Sequence, residues 1–414
     1  MKKLRANYYK IITVVGILLS ILWIVFVNTK PYSDFSYYNS VARQVASGGQ
    51  WGDTYTSVGY SIVLGFIYKL FGSSIMVAKI FNVVLTTLSY LLLYKILKGI
   101  EKISEGRKKL IYTLFVLFPS NIFYNSLLGT EIIFTTVFLL ITLVYFSELK
   151  YKYILIGILT GFNAMIKPFF LVIFFAIFLV ELMSKRKLGN AIKNAVIILI
   201  LSLIVVAPWC YRNTKLIGEP TFISNNGGIV LYINNNSQNK LGRWMAASDV
   251  ENSIIKKQEY KASNSTQKNK MLSAAAKKWI VSHPAQFVKL GFKRLVNTYL
   301  VPDDISFTYN EAGLSSGAEN ILLSIYSLIK YIITIPAIII MLILSVKVIL
   351  DLIKKRKIES FKLYGLICFY MFCCTYFVTE GQGRYSFPII FIMIYFFTFI
   401  FYRNGFFNDE NLIG

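Results

Sequence analysis

The feature that most constrains this chain is a series of apolar stretches of near-bilayer length, separated by short clusters of Lys and Arg. About 20 apolar residues in a helix cross the hydrocarbon core of a membrane. With 56% hydrophobic and 15% charged residues among 414, the chain carries more apolar surface than a water-soluble domain could hide. An all-α fold is therefore predicted, a polytopic transmembrane helical bundle.

Spans are expected near residues 11–28, 74–97, 110–127, 131–147, 153–166, 168–183, 195–209, 321–347, 361–379 and 387–403, which makes about ten. The segment 59–71 (GYSIVLGFIYKLF) is apolar but short, and is expected to lie at the interface or to re-enter. Parity supports this choice. With the N-terminus in the cytoplasm, the basic connections KGIEKISEGRKK (98–109), SKRKLGNAIKN (184–194) and KKRK (354–357) all fall inside. A full span at 59–71 would put all three outside. The N-terminal MKKLRANYYK and the apolar run after it have the outline of a signal peptide, but no small-residue cleavage site follows. An uncleaved first span of a multi-pass plasma-membrane protein is expected.

Three regions follow: an N-terminal transmembrane module, 1–209, with its first outer loop at 29–58; an outer segment, 210–320, that caps the bundle; and C-terminal transmembrane helices, 321–414. Within the outer segment Val288, Phe292, Leu295 and Tyr299 recur at helical spacing, with Lys289 and Lys293 on another face. That pattern predicts a helix lying on the membrane surface. The net charge of +24 sits mainly at span ends and in loops, where it reads as topology and not as a nucleic-acid surface. Cys210, Cys368, Cys373 and Cys374 make neither a disulfide framework nor a zinc spacing. The sole His, His283, precedes Pro284 and is read as structural.

The same parity gathers the polar residues that are hardest to explain on the outer face. Asp34, Tyr38 and Ala42 in PYSDFSYYNSVARQVASGGQW are four apart and share one helix face; helix capping accounts for Asp34 equally well. Glu131 opens an apolar span in LLGTEIIFTTVFLL, where a carboxylate also simply suits a helix N-terminus. Lys167 stands before Pro168 in an otherwise apolar run, either as a functional cation or as one that snorkels to the interface. Arg384 in TEGQGRYSFP is suited to bind phosphate with two parallel hydrogen bonds, or else to anchor its loop through Glu380. Asp303-Asp304 reads as a turn more readily than as a cation site. No phosphate loop, dinucleotide fingerprint, nucleophile elbow or zincin motif is present.

In their order, these segments resemble the GT-C membrane glycosyltransferases, the superfamily of the protein O-mannosyltransferases and the bacterial lipid A aminoarabinose transferases. The resemblance covers most of the chain. It rests on Asp34 with Tyr38, Ala42 and Gly48, on GYSIVLGFIYKLFG with Tyr60, and on Glu131. GILTGFNAMIKP, APWCYRN with Arg212, HPAQF and GRYSFP complete it. It implies an enzyme that moves a hexose or pentose from a polyprenyl-phosphate carrier to an envelope glycan, lipid or protein on the outer face, usually with inversion. Asp34 would be the general base. Arg384 and Lys167, with Arg212 behind them, would stabilise the departing phosphate, and Glu131 would orient the acceptor or a sugar hydroxyl. No cofactor follows, and a divalent metal is left open. Two departures stand out: Phe35 follows Asp34 where a second acidic residue is common, and SVGY (57–60) stands where the aminoarabinose type has Lys-Pro-Pro. A flippase for a lipid-linked saccharide, or an envelope polysaccharide polymerase, would share the many spans. The absence of internal symmetry argues against the first and the acidic residue after span one against the second.

Overall fold

The computed structural model describes residues 2–100, 102–185 and 187–403, and side chains between residues 7 and 401. Among the described residues every regular element is helical, as expected of a chain whose backbone must satisfy its own hydrogen bonds in hydrocarbon. The first half contains α1 (Lys2–Phe26), α2 (Ser33–Ala46), α3 (Gly59–Phe71), α4 (Ile75–Gly99), α5 (Glu105–Val116), α6 (Pro119–Phe123), α7 (Glu131–Tyr145), α8 (Lys152–Ile166), α9 (Ile173–Lys185) and α10 (Leu188–Ile217). The second half contains α11 (Gly227–Asn234), α12 (Gln258–Ala262), α13 (Ser265–Ser282), α14 (Pro284–Tyr299), α15 (Ser316–Ile353), α16 (Ser360–Val378), α17 (Ile390–Phe397) and α18 (Phe399–Arg403).

Among the described residues seven helical segments are long and apolar enough to cross a membrane: Asn7–Phe26, Ile75–Gly99, Pro168–Lys185, Leu188–Ile217, Ser316–Ile353, Ser360–Val378 and Gly383–Phe401. The expected span over 110–127 is not one helix. α5 stops at Val116 and α6 opens at Pro119, with Phe118 between them in extended backbone. Proline removes a backbone donor and forces its predecessor out of the helical region, so the chain breaks there. The expected spans over 131–147 and 153–166 correspond to α7 and α8, each of 15 residues. α7 is buried along its whole length except at Leu140 and Leu143, which is where a helix that is apolar all round belongs. Two other expectations were too short. The helix over 195–209 extends to the 30 residues of α10, and that over 321–347 to the 38 residues of α15.

Close approach of backbones organises the packing. Gly157 and Gly161 of α8 lie against α10, where a Cβ would come within 2.8 Å of Leu201 Cβ and 2.6 Å of Val205 Cβ. This is the small-x3-small pattern that lets membrane helices meet tightly. Gly65 of α3 serves α2 in the same way, facing Val45 and the Ala42 carbonyl, and so fixes the helix that carries Asp34.

The two ends of the bundle differ. Lys79 at the start of α4 donates to the Val27 carbonyl just past α1 at 3.2 Å, and Glu131 at the start of α7 meets Lys167 just past α8. At the opposite end the buried Arg107 of α5 donates to Thr398 Oγ1 at 2.9 Å, and the Phe399 ring lies 3.9 Å from its guanidinium. The segment between α10 and α15 covers the first of these ends. Arg294 of α14 donates to the carbonyls of Phe377 (2.6 Å), Val378 and Asn234, which ties α14 and α11 to the last turn of α16. Burial pulls its guanidinium down to about 10, so it stays charged at neutral pH. α14 begins at Pro284, and the His283 ring stacks on Trp279 with centroids 5.1 Å apart. Of the apolar stripe expected on α14, Val288 and Phe292 face outward while Tyr299 turns into the core.

Candidate active site

Four charged residues from distant parts of the chain converge beneath the segment between α10 and α15. Asp34 lies in the first turn of α2 but does not cap it: Tyr32 holds the cap position, without a side-chain cap bond. The Asp34 carboxylate instead accepts a hydrogen bond from Arg384 Nη2 at 3.2 Å. Arg384 belongs to the 3-10 turn Gly383–Ile389 and does not anchor Glu380, which accepts from Gln382 Nε2 (2.7 Å) and Tyr385 Oη (3.0 Å). Gln382 Oε1 accepts from Arg384 Nε at 2.8 Å and pins the plane of the guanidinium. The rings of Phe35 and Tyr385 stand 5.4 Å from its carbon and that of Phe307 stands 6.0 Å away. Phe35, noted above as a departure from the resembled pattern, thus gives this cation an aromatic face.

Lys167 does not snorkel outward. Its Nζ turns in to Glu131 Oε1 at 3.4 Å and lies 5.3 Å from the Tyr385 ring. Glu131 is 1% exposed and Lys167 15%, whereas Asp34 is 55% exposed, so the pair forms the floor of the site and Asp34 its open edge. Glu131 Oε2 and the hydroxyls of Tyr60 and Tyr376 are buried without a hydrogen-bond partner among the described residues. Buried polar atoms left in that state favour a ligand or water that reaches them. Tyr38 is half-buried, its ring edge-on to Tyr60 at 5.9 Å. Burial and then the Asp34 carboxylate push its phenol well up, so it is a neutral hydroxyl donor.

Arg212 is placed differently. Its guanidinium donates to the carbonyls of Trp51 (3.2 Å), Gly52 and Asp53 (3.2 Å), and lies 4.3 Å from the Trp209 ring. It ties the end of the first loop to α10, with Nη1 and Nη2 occupied by these carbonyls and by Asn213 Oδ1 at 3.0 Å. Asp53 in turn accepts from Tyr37 Oη at 2.7 Å.

The sequence reading missed a second charged cluster beneath Arg384. Asp304 and Lys330, 2% and 1% exposed, pair at 3.2 Å, and Asp304 Oδ2 also accepts from Tyr124 (2.5 Å) and Tyr326 (3.1 Å). Asp303 pairs with Arg243 at 2.5 Å, and both acids open a 3-10 helix, Asp303–Tyr309, in place of the expected turn. Gly383 presses on Asp304 so closely that a Cβ there would lie 2.2 Å from Oδ1. The backbone that presents Arg384 therefore rests on this cluster. Asp304 was read in sequence as part of a turn, and its partner Lys330 is an isolated Lys in the apolar run of α15. Gln382, Phe35 and Tyr385 were not read from the sequence as partners of Arg384.

Among the described residues no three His, Cys, Asp or Glu side chains converge as metal ligands. Asp34 meets a guanidinium instead of a second carboxylate, and this donor set does not match the oxygen-rich shell of a divalent cation.

The helical architecture matches that of a solved membrane oligosaccharyltransferase. It is similar to the crystal structure of the oligosaccharyltransferase of Archaeoglobus fulgidus tethered to an acceptor peptide with the NVT sequon (TM-score 0.52, 11% identity, 96% of this chain and 50% of that chain). The apo form of the same enzyme aligns with TM-score 0.53 and 12% identity over 96% of this chain and 51% of that one. The chain thus spans about half the length of these solved proteins. No family model and no curated protein matches the sequence.

Proposed function

We propose that this protein is a membrane glycosyltransferase that moves a single hexose or pentose from a polyprenyl-phosphate carrier to an envelope glycan, lipid or protein. The reaction would run on the outer face of the plasma membrane, with the N-terminus and the basic connections in the cytoplasm. The observation that carries this reading is the contact of Asp34 with Arg384 beside the Glu131–Lys167 pair, on a scaffold shared with an oligosaccharyltransferase. A solvent-open carboxylate next to a buried, pre-oriented guanidinium offers a base and an anion site side by side.

The acceptor hydroxyl oxygen attacks the anomeric carbon, and Asp34 takes the hydroxyl proton. The bond from that carbon to the carrier phosphate breaks on the opposite side, which inverts the configuration. The phosphate leaves with one more negative charge. Arg384 stabilises that charge, and Lys167, held at the floor by Glu131, adds its own field. Tyr38 and the unpartnered hydroxyl of Tyr60 supply neutral donors for sugar or acceptor oxygens. Arg212 acts by holding the first loop, not by binding phosphate.

The test is transfer by purified full-length protein from a synthetic polyprenyl-phosphate sugar, with envelope glycans from cells compared in parallel by mass spectrometry. Asp34→Asn is expected to lower transfer by about 10²–10⁴-fold. Asp34→Asn keeps an amide oxygen able to accept from Arg384 Nη2, so the fold should stay within about 1 kcal/mol of wild type. Retained transfer in Asp34→Asn would refute the assignment, and movement of an intact lipid-linked saccharide without bond cleavage would make the protein a flippase.

A further inference from the structure

A second site lies away from these residues, on the outward flank of α14. A cavity of about 130 Å³ opens between α14, the end of α13 and the loop after α11, lined by Lys240, Lys289, Lys293, Gln286 and Trp279. None of the described residues lining it is acidic. Beside this cationic row runs an apolar one. Val288, Phe292 and Val296, at four-residue spacing, are 45%, 61% and 50% exposed. Leu241 and Trp244 extend the patch at 68% and 66%. The loop that carries them is fastened to α14, since Lys293 Nζ donates to the Lys240 carbonyl (2.7 Å) and Asn297 Nδ2 to that of Leu241 (2.8 Å).

The height of this patch follows from packing. α14 crosses the end of α16, one of the seven bilayer-length segments. The rings of Phe287 and Phe292 stand 5.5 and 5.6 Å from Phe377, and Arg294 donates to the Phe377 carbonyl. Phe377 is the last residue but one of α16. The stripe is thereby held at the level where a membrane span ends, which is where Trp, Phe and Lys meet lipid headgroups.

We infer that the flank of α14 binds an anionic phospholipid, with its phosphate between Lys240, Lys289 and Lys293 and its acyl chains along Val288, Phe292 and Val296. The two rows lie side by side on one helix, so a single molecule with a negative head and apolar tails satisfies both. A soluble anion would leave the apolar row bare, and a zwitterionic lipid would leave the lysines uncompensated. The inference is independent of the glycosyltransferase reading.

The test uses the full chain purified in phosphatidylcholine nanodiscs or mixed micelles, titrated with phosphatidylglycerol and followed by native mass spectrometry. Wild type should retain phosphatidylglycerol over phosphatidylcholine. The triple variant Lys240→Ala/Lys289→Ala/Lys293→Ala should bind it on the order of 100-fold more weakly, about fivefold per lysine. Phe292→Ser/Val296→Ser should weaken phosphatidylglycerol while leaving the lysines in place. Removing Lys354, Lys355 and Lys357 is the control for net charge and should change nothing. Equal binding by wild type and the triple variant, or an equal loss in the control, overturns the proposal. So does glycerol 1-phosphate competing at the same concentration as the lipid, which would make the site one for a free anion.

Discussion

Replacing Lys167 with Met isolates what the floor of the site contributes. Glu131 is 1% exposed, and its Oε1 reaches only Lys167 Nζ and Thr130 Oγ1, each at 3.4 Å, among the described residues. At that separation the attraction between the two charges is about 5 kcal/mol with an effective dielectric of about 20. Truncating one member of a buried pair leaves the other uncompensated, and costs about 3–5 kcal/mol. Arg384 acts on the same carboxylate and keeps the loss toward the lower end of that range. The double variant Lys167→Met/Glu131→Gln strands no charge and forfeits mainly the contacts of Lys167 with the rings of Tyr385 and Phe134. It should lie within about 2 kcal/mol of wild type. A double-mutant cycle, read from reversible unfolding in mixed micelles, should give a coupling of at least about 2 kcal/mol. A coupling below about 0.5 kcal/mol, the scatter expected of independent sites, would refute the claim that these side chains are charged and paired.

Other consequences are open to measurement. Arg384→Lys keeps a cation but cannot hold Gln382 and reach Asp34 together, so kcat for transfer should fall by about 10²–10³-fold. Gly65→Leu drives a side chain into Val45 and the Ala42 carbonyl, and should cost about 1–3 kcal/mol in unfolding while displacing α2 and its Asp34. Arg294→Met leaves the carbonyls of Asn234 and Phe377 without this buried donor, while that of Val378 keeps Asn235 Nδ2 at 3.0 Å, at about 1–3 kcal/mol for each unsatisfied group. Limited proteolysis should then cut between residues 218 and 315 sooner than in wild type.

Much of the architecture was legible because lipid leaves a chain few options. Apolar runs such as that of α1 and the punctuation of Pro284 and Pro168 gave helices close to where they lie. The failures were physical ones. Pro119 lies inside an apolar run that reads as one span, and a hydropathy sum is blind to the backbone donor that proline lacks. The ends of α10 and α15 were placed too near the bilayer because polar residues can continue a helix beyond it. For the site, helix order alone brought Asp34 and Arg384 to one end of the bundle, although 350 positions separate them. What each side chain touches was not legible. Arg212 and Arg384 look alike in sequence, yet one is spent on loop carbonyls and the other faces a carboxylate. The Asp304–Lys330 pair was invisible for the same reason, since pairing across helices has no spacing rule.

The shortness of α7 and α8 bears on how a lipid carrier would meet the site. Fifteen residues of helix rise about 22 Å, against about 30 Å for the hydrocarbon core. Neither helix crosses that core by itself, and Glu131 and Lys167 stand at the same end of this short pair. Under the proposed function, a phosphate on a polyisoprenoid tail would reach that end from within the leaflet, its tail still dissolved in lipid.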